Sequence, residues 1–234
     1  TEVNDAPILT AISDPAVLLE DAGAQTVTLS GIGSGGGETQ VLTVTGSSNN
    51  TLLIPTPVVT YTSPETTGTL VFTPADNVSG TAVVTVTVTD DGGTTGGGVE
   101  SVSQTFTVTV TEVNDAPILT AISDPAAILE DAESQTISLL GIEAGGGETQ
   151  TLTVTANSNS VLIPTPVVTY TSPEATGSLL FTPAENTSGT AVITVTVVDD
   201  GGTDSGGTNT VSSTFTVTVT EVNDAPTLFD IPDP

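Results

Sequence analysis

Residues 82–89 read Ala-Val-Val-Thr-Val-Thr-Val-Thr, and that order decides the fold class. Side chains of a β-strand alternate between its faces, so Val84, Val86 and Val88 share one face while Thr85, Thr87 and Thr89 share the other. One apolar face and one hydroxyl face make a half-buried antiparallel strand. Phe106, Val108 and Val110 alternate with Thr105, Thr107 and Thr109 in the same way, and Val27 with Leu29, Leu42 with Val44, and Leu70 with Phe72 add core candidates. Thr makes up about a fifth of the chain, and its β-branch suits an exposed strand face. Gly and Pro clusters at Gly35–Gly37, Pro55–Pro57 and Gly92–Gly98 break the runs about every ten residues, the spacing of a β-sandwich. The pattern predicts strands near 8–13, 25–32, 40–46, 58–62, 68–73, 81–90 and 102–112. Seven such strands predict an all-β, immunoglobulin-like Greek-key sandwich. The tyrosine corner and the Trp and disulfide of antibody domains are missing, so the likeness is to the architecture only.

The same segments come twice. TEVNDAPILTAISDPA begins at Thr1 and returns 110 residues later at Thr111; TEVNDAP appears again 109 residues further on, at Thr220. One residue drops out where SSNNTLLIPT becomes NSNSVLIPT, and LTVT, PTPVVTYTSPE, FTPA, DDGG and TFTVTVTEVNDAP each have a twin. The chain therefore reads as repeat 1 at 1–110, repeat 2 at 111–219, and the linker and first strand of a third repeat at 220–234. With no initiator Met and no leader-like segment, it is expected to be a window of a longer array, strung as an extended rod.

Composition narrows the chemistry. The chain of 234 residues has 28 Asp plus Glu and no Lys, Arg, His, Cys, Met or Trp, for a net charge of -28. Neutralising phosphates takes Lys or Arg, so nucleic acid is not an expected partner, and an anionic membrane surface is equally unfavourable. No apolar run is long enough to insert in a bilayer. A His base, a Lys Schiff base, an Arg clamp and a Cys nucleophile are all excluded, so no enzyme activity is expected. A carboxylate pair acting on a glycosidic bond is the residual possibility, but nothing supplies a substrate cleft. The segment at 31–36 satisfies G-x-G-x-x-G, but repeat 2 reads GIEAGG there and a strand rather than a helix is expected to follow, so the match is fortuitous.

Sorting carboxylates by loop gives them a common address. With strands running alternately down and up, Glu20 and Asp21 follow the first strand and Asp76 lies between the fifth and sixth, all at the bottom of repeat 1. Glu143 and Glu148 lie between the second and third strands of repeat 2, and Asp199 with Asp200 ends its sixth strand, all at the top. Between them runs the linker with Glu112, Asn114 and Asp115. Like charges gathered this way repel unless a cation sits among them. Ca2+ takes six to eight hard oxygens in flexible geometry and fits that need. Plainer readings stand beside it: Asn-Asp before Pro as a turn, Asp90-Asp91 before Gly92 as a hairpin start, and Glu38 and Glu148, each after a triple Gly, as solvated loop charges.

These motifs resemble those of cadherins. TEVNDAP is similar to the DxNDNAP linker, and Val88-Thr89-Asp90-Asp91-Gly92 resembles AxDxG at the end of cadherin strand F. The DRE and DxD motifs are absent as such, and repeat 1 has Gly33 where repeat 2 has Glu143. Bacterial cadherin-like tandem repeats of giant surface adhesins resemble the chain more closely, with a VNDAP linker, an early Glu-Asp pair and an FTPA-x-N-x-x-G segment, here FTPADNVSG at Phe72 and FTPAENTSG at Phe181. The resemblance implies calcium ligands Glu20, Asp76, Asn114, Asp115 and Asp199 at the junction of repeats 1 and 2, with Asp21, Glu112, Glu143 and Asp200 secondary. It implies Asn4, Asp5 and Asp90, with Glu38 secondary, at the amino-terminal junction, and Glu130, Asp131, Glu185, Asn223 and Asp224 at the carboxy-terminal one, with weaker occupancy at both. It further implies a secreted, extracellular, calcium-stiffened spacer at a bacterial cell surface, whose direct partners are neighbouring repeats of its own chain. Lateral or end-to-end self-association into a filament or sheath is the alternative. A sugar- or protein-binding module is a weaker one, because aromatics are 3% of residues and only Tyr61 and Tyr170 are polar.

Overall fold

The alternating runs become strands wherever a neighbouring strand can take their free N–H and C=O groups. The computed structural model describes residues 3–226. In repeat 1 the strands are β1 (Leu18–Leu19), β2 (Gln25–Ser30), β3 (Thr43–Ser48), β4 (Val58–Thr60), β5 (Thr67–Phe72), β6 (Gly80–Thr89) and β7 (Ser101–Thr111). In repeat 2 they are β8 (Ile128–Leu129), β9 (Gln135–Leu140), β10 (Thr153–Ser158), β11 (Val167–Thr169), β12 (Thr176–Phe181), β13 (Gly189–Val198) and β14 (Thr210–Thr220). Repeat 1 forms two sheets, β1-β7-β6-β3 and β2-β5-β4, and repeat 2 copies both as β8-β14-β13-β10 and β9-β12-β11. All pairings are antiparallel except β1 with β7 and β8 with β14. Each repeat is thus a seven-stranded immunoglobulin-like and cadherin-like sandwich.

One expected strand is different. Residues 8–13 form no strand: Ile8 makes an isolated bridge to Gly33, Thr10 N donates to Ser30 O at 3.0 Å, and the chain then leaves that sheet. It joins the other sheet as β1, parallel to β7, with Leu18 opposite Val110. The cause lies between. Pro15 has no N–H to extend a ladder, and the Asp14 carboxylate instead accepts the Thr107 N–H at 2.6 Å, as Asp124 accepts Thr216 N–H in repeat 2.

Burial follows the period of two. Val84, Val86, Val88, Phe106, Val108 and Val110 are buried from one sheet, and Leu29, Leu70 and Phe72 from the other. Val27 and Val44 are half-buried against the same cluster. Phe72 and Phe106 meet across the sandwich with ring centroids 6.2 Å apart and planes tilted by 43°, a contact worth about 0.5–1.5 kcal/mol beyond area burial. Leu53 and Ile54 complete the core from the turn after β3, outside any strand.

Contacts divide the chain into Thr1–Val113 and Asn114–Pro234. The division falls after β7 has run through Thr111, so Asn114 and Asp115 belong to the sandwich that follows them. The expected first strand of a third repeat falls largely on residues 227–234, outside the described residues. No Asp or Glu lies in any described strand. Charge is confined to loops, which places any acidic site at the ends of the sandwich. Truncating Leu29 to Ala should destabilise repeat 1 by about 2–5 kcal/mol, read as a lower denaturation midpoint for that repeat alone.

Candidate functional site

The loops β2–β3 and β6–β7 close over the incoming linker at one pole of each repeat. In repeat 2, β13 delivers Asp199 to that pole, where it is only 5% exposed. Its Oδ1 accepts Asn114 Nδ2 at 3.1 Å and Gly201 N at 3.0 Å. Its Oδ2 is buried with no hydrogen-bond donor. Asn114 is fully engaged: Nδ2 also donates to the carbonyls of Gly202 (3.1 Å) and Thr208 (2.8 Å), and Oδ1 accepts Gln150 Nε2. The half-buried Glu148 accepts Gln150 Nε2 at 3.0 Å and Asp115 N at 3.3 Å. Gln150 Oε1 is a second buried oxygen without a donor.

Repeat 1 builds the same pole. Asn4 Nδ2 donates to Asp90 Oδ1 at 3.0 Å and to Val99 O at 2.9 Å, Gln40 Nε2 donates to Asn4 Oδ1, and Asp5 N donates to Glu38 at 3.3 Å. Asp90 is also 5% exposed, and Asp90 Oδ2 and Gln40 Oε1 are again buried without donors.

The triple glycine is part of this construction. Gly146 has φ +48°, and a Cβ there would stand 2.2 Å from Asp115 Oδ2; Gly36 has the same φ and the same approach to Asp5 Oδ2. Only glycine lets the loop close on the linker carboxylate. Glu38 and Glu148 therefore differ from the solvated charges expected of them: both are half-buried and hold the linker Asp N–H. Gln40 and Gln150 did not figure as site residues at all. The available sign was GGGETQ, which recurs unchanged at 35–40 and 145–150 although flanking residues differ.

Other acidic residues are placed less centrally. Glu143 exchanges backbone hydrogen bonds with Ile118, and with Glu148 it lines a cavity of about 650 Å³ floored by Ile118, Ile142, Leu152 and Pro173. Asp200 is exposed; Thr151 N–H donates to its Oδ1 at 2.8 Å, and this bond with the Thr151 hydroxyl holds its carboxyl below the usual range. At the opposite pole of repeat 1, Glu20 is buried and its Oε1 accepts Val113 N at 2.6 Å, while Asp21, with φ 58°, accepts Asn77 N at 2.9 Å. Glu130 and Asp131 do the same for Val222 N (2.7 Å) and Asn186 N (2.8 Å). Asp76, Glu112, Glu185, Asn223 and Asp224 are exposed. Tyr61 and Tyr170 lie half-buried against the cores, and burial raises both phenol pKa values.

Among the described residues, no three carboxylates gather closely enough to hold a metal ion by themselves. The donor chemistry nevertheless suits a hard cation. Asp90 and Asp199 each keep one carboxylate oxygen without a hydrogen bond, and Gln40 and Gln150, which reach the same linker Asn, each keep an amide oxygen in that condition; such oxygens are what Ca2+ accepts. Mg2+ demands stricter octahedral geometry and gives up its water reluctantly.

Two outcomes test this construction. Gly146→Ala should cost repeat 2 about 1–3 kcal/mol from left-handed strain and the clash with Asp115. The Asp200 carboxyl, followed by NMR, should titrate below free Asp, and Thr151→Val should move it upward. Because its folded pKa is depressed, the stability it contributes is present above the ordinary Asp range and is lost as pH falls through its lowered pKa.

No family model matches the chain, and no curated protein matches it. Among solved structures, human mucin-like protocadherin EC1-2 is 13% identical over 93% of this chain and 100% of that one, with TM-score 0.45. The human desmocollin-1 ectodomain is 12% identical over 96% of this chain, which spans 42% of that ectodomain, with TM-score 0.43. The titin domains Z1Z2, solved in complex with telethonin, are 14% identical over 95% of this chain and all of that chain, with TM-score 0.37. At these values the fold assignment rests on this chain's own strand order: tandem immunoglobulin-like and cadherin-like sandwiches.

Proposed function

We propose that the chain is a stretch of extracellular spacer repeats from a large surface adhesin, non-enzymatic, in which Ca2+ bound at the poles stiffens the succession of sandwiches. The observation that carries this reading is the buried, half-satisfied carboxylate of Asp90 and Asp199 in a chain without a cationic side chain. An isolated buried charge is expensive, and with no basic side chain in the chain an external cation is the counter-ion open to it. Asp199 in repeat 2 and Asp90 in repeat 1 would each supply a carboxylate oxygen, Gln150 and Gln40 amide oxygens, and water the remaining positions. Glu20 and Glu130 play another part, holding the chain as it leaves the sandwich. The ion would supply charge neutralisation and cross-linking of loops, with no chemical step.

Melting the two-repeat chain in chelator and in millimolar Ca2+ tests the reading. Calcium at about 100 times its Kd should stabilise each binding repeat by about 2.7 kcal/mol, seen as a higher Tm, with Mg2+ far less effective. Asp199→Asn separates this from general salt screening. In chelator it should melt at or above the native chain, because a buried charge is gone; in calcium the rise of repeat 2 should disappear. An identical Tm with and without calcium would sink the reading.

A further inference from the structure

The strands of each sandwich carry no charge, although the carboxylates of Asp14 and Asp124 sit at the edges of β7 and β14, and one face is paved with hydroxyls. On β3, β6 and β7 the outward residues align in rows such as Ser47–Thr85–Thr105 and Thr45–Thr87–Ser103. Repeat 2 aligns Asn157–Thr194–Thr214 and Thr155–Thr196–Ser212 on β10, β13 and β14. These side chains are exposed or half-exposed. At the centre of each array one hydroxyl pair is bonded across strands, Thr87 Oγ1 to Ser103 Oγ at 2.8 Å and Thr196 Oγ1 to Ser212 Oγ at 2.9 Å. An exposed sheet in a soluble domain ordinarily carries Lys and Glu that keep other sheets away. Here none is present in either repeat.

We infer that this face, β3-β6-β7 and its counterpart β10-β13-β14, is where a second copy of the chain packs side by side. Three observations select that occupant. First, a net charge of -28 makes two copies repel, and contact through a face whose strands carry no Asp or Glu keeps the loop carboxylates of the poles out of the contact; at physiological salt, charges beyond about 8 Å are screened. Second, a hydroxyl both donates and accepts, so a Ser/Thr lattice is complementary to itself, as a two-fold contact requires. Third, this is the longer flank: β6 has 10 residues and β7 has 11, against 6 in β5 and 3 in β4. Strands of 6, 10 and 11 residues in β3, β6 and β7, about 4.8 Å apart, give a face of roughly 430 Å², around half the 800 Å² per partner of a standard interface. One repeat alone is a weak contact.

Sedimentation velocity from micromolar to millimolar chain, in calcium and in chelator, reads the association directly. The native two-repeat chain should show a concentration-dependent dimer in both, since no residue of these strands is a carboxylate; this separates the inference from the calcium reading. Thr87→Glu with Thr196→Glu should weaken the dimer at least tenfold without lowering the Tm of dilute protein. Thr28→Glu with Ser138→Glu, outward on β2 and β9, should leave it intact. Because the chain has no cysteine, Ser103→Cys offers a milder check: a short bismaleimide should link its dimer faster than that of Ser30→Cys. A native chain monomeric throughout, equal loss in both Glu pairs, equal linking rates, or native protein with O-linked sugar on Thr85 to Thr89 would each overturn the inference.

Discussion

No carboxylate in this chain has a basic neighbour, and that constraint shapes everything outside the core. A charge that cannot be paired must face water or be wrapped in N–H donors. The strands avoid the problem by carrying no Asp or Glu, and the loops solve it locally. Glu20 takes the N–H of Val113, Asp21 that of Asn77, and Asp90 those of Asn4 and Gly92. Asp90 and Asp199 are the incomplete cases, with one oxygen satisfied twice and the other buried without a donor. The same constraint that empties the strands of charge therefore concentrates an unmet electrostatic demand at the poles.

The linker takes its meaning from that arrangement. Glu20 holds Val113 to the sandwich upstream, whereas Asn114 and Asp115 are built into the sandwich downstream. TEVND is thus two anchors in succession, with the division between units at Val113 and Asn114. Both repeats make these bonds with the same partners, although Gly33 replaces Glu143 and Val41 replaces Thr151. Duplication preserved the pole and let its rim vary.

Periodicity made most of the fold legible. Val84 to Val88 and Phe106 to Val110 point inward as their alternation requires, because a sandwich buries one face of every strand. Where burial did not come from a strand, periodicity had nothing to detect. Leu53 and Ile54 are fully buried from a turn while adjacent Leu52 is 81% exposed, a distinction that depends on how the turn folds back. The first strand failed for a related reason: residues 8–13 have the composition of a strand, but Pro15 and the Asp14 side chain move the chain to the opposite sheet. Within the site, Asp199, Asn114 and Asp115 were recognisable from motif and loop. Glu148 was assignable to this pole by its loop but reads there as a solvated charge, and Gln150 was missed, because their roles depend on a glycine loop bringing them over the linker.

By itself, the sequence determined the class of fold, the duplication, the absence of basic and thiol chemistry, and the confinement of charge to loops. These are properties of composition and local period, which need no knowledge of distant contacts. Only the tertiary structure decided which carboxylates are wrapped and which oxygens stay unsatisfied, that the linker Asn-Asp belongs to the following sandwich, and that Ser and Thr from three separate strands register into one uncharged face. Each of those depends on residues roughly 20–95 positions apart being brought within hydrogen-bonding distance, and no local pattern encodes that pairing.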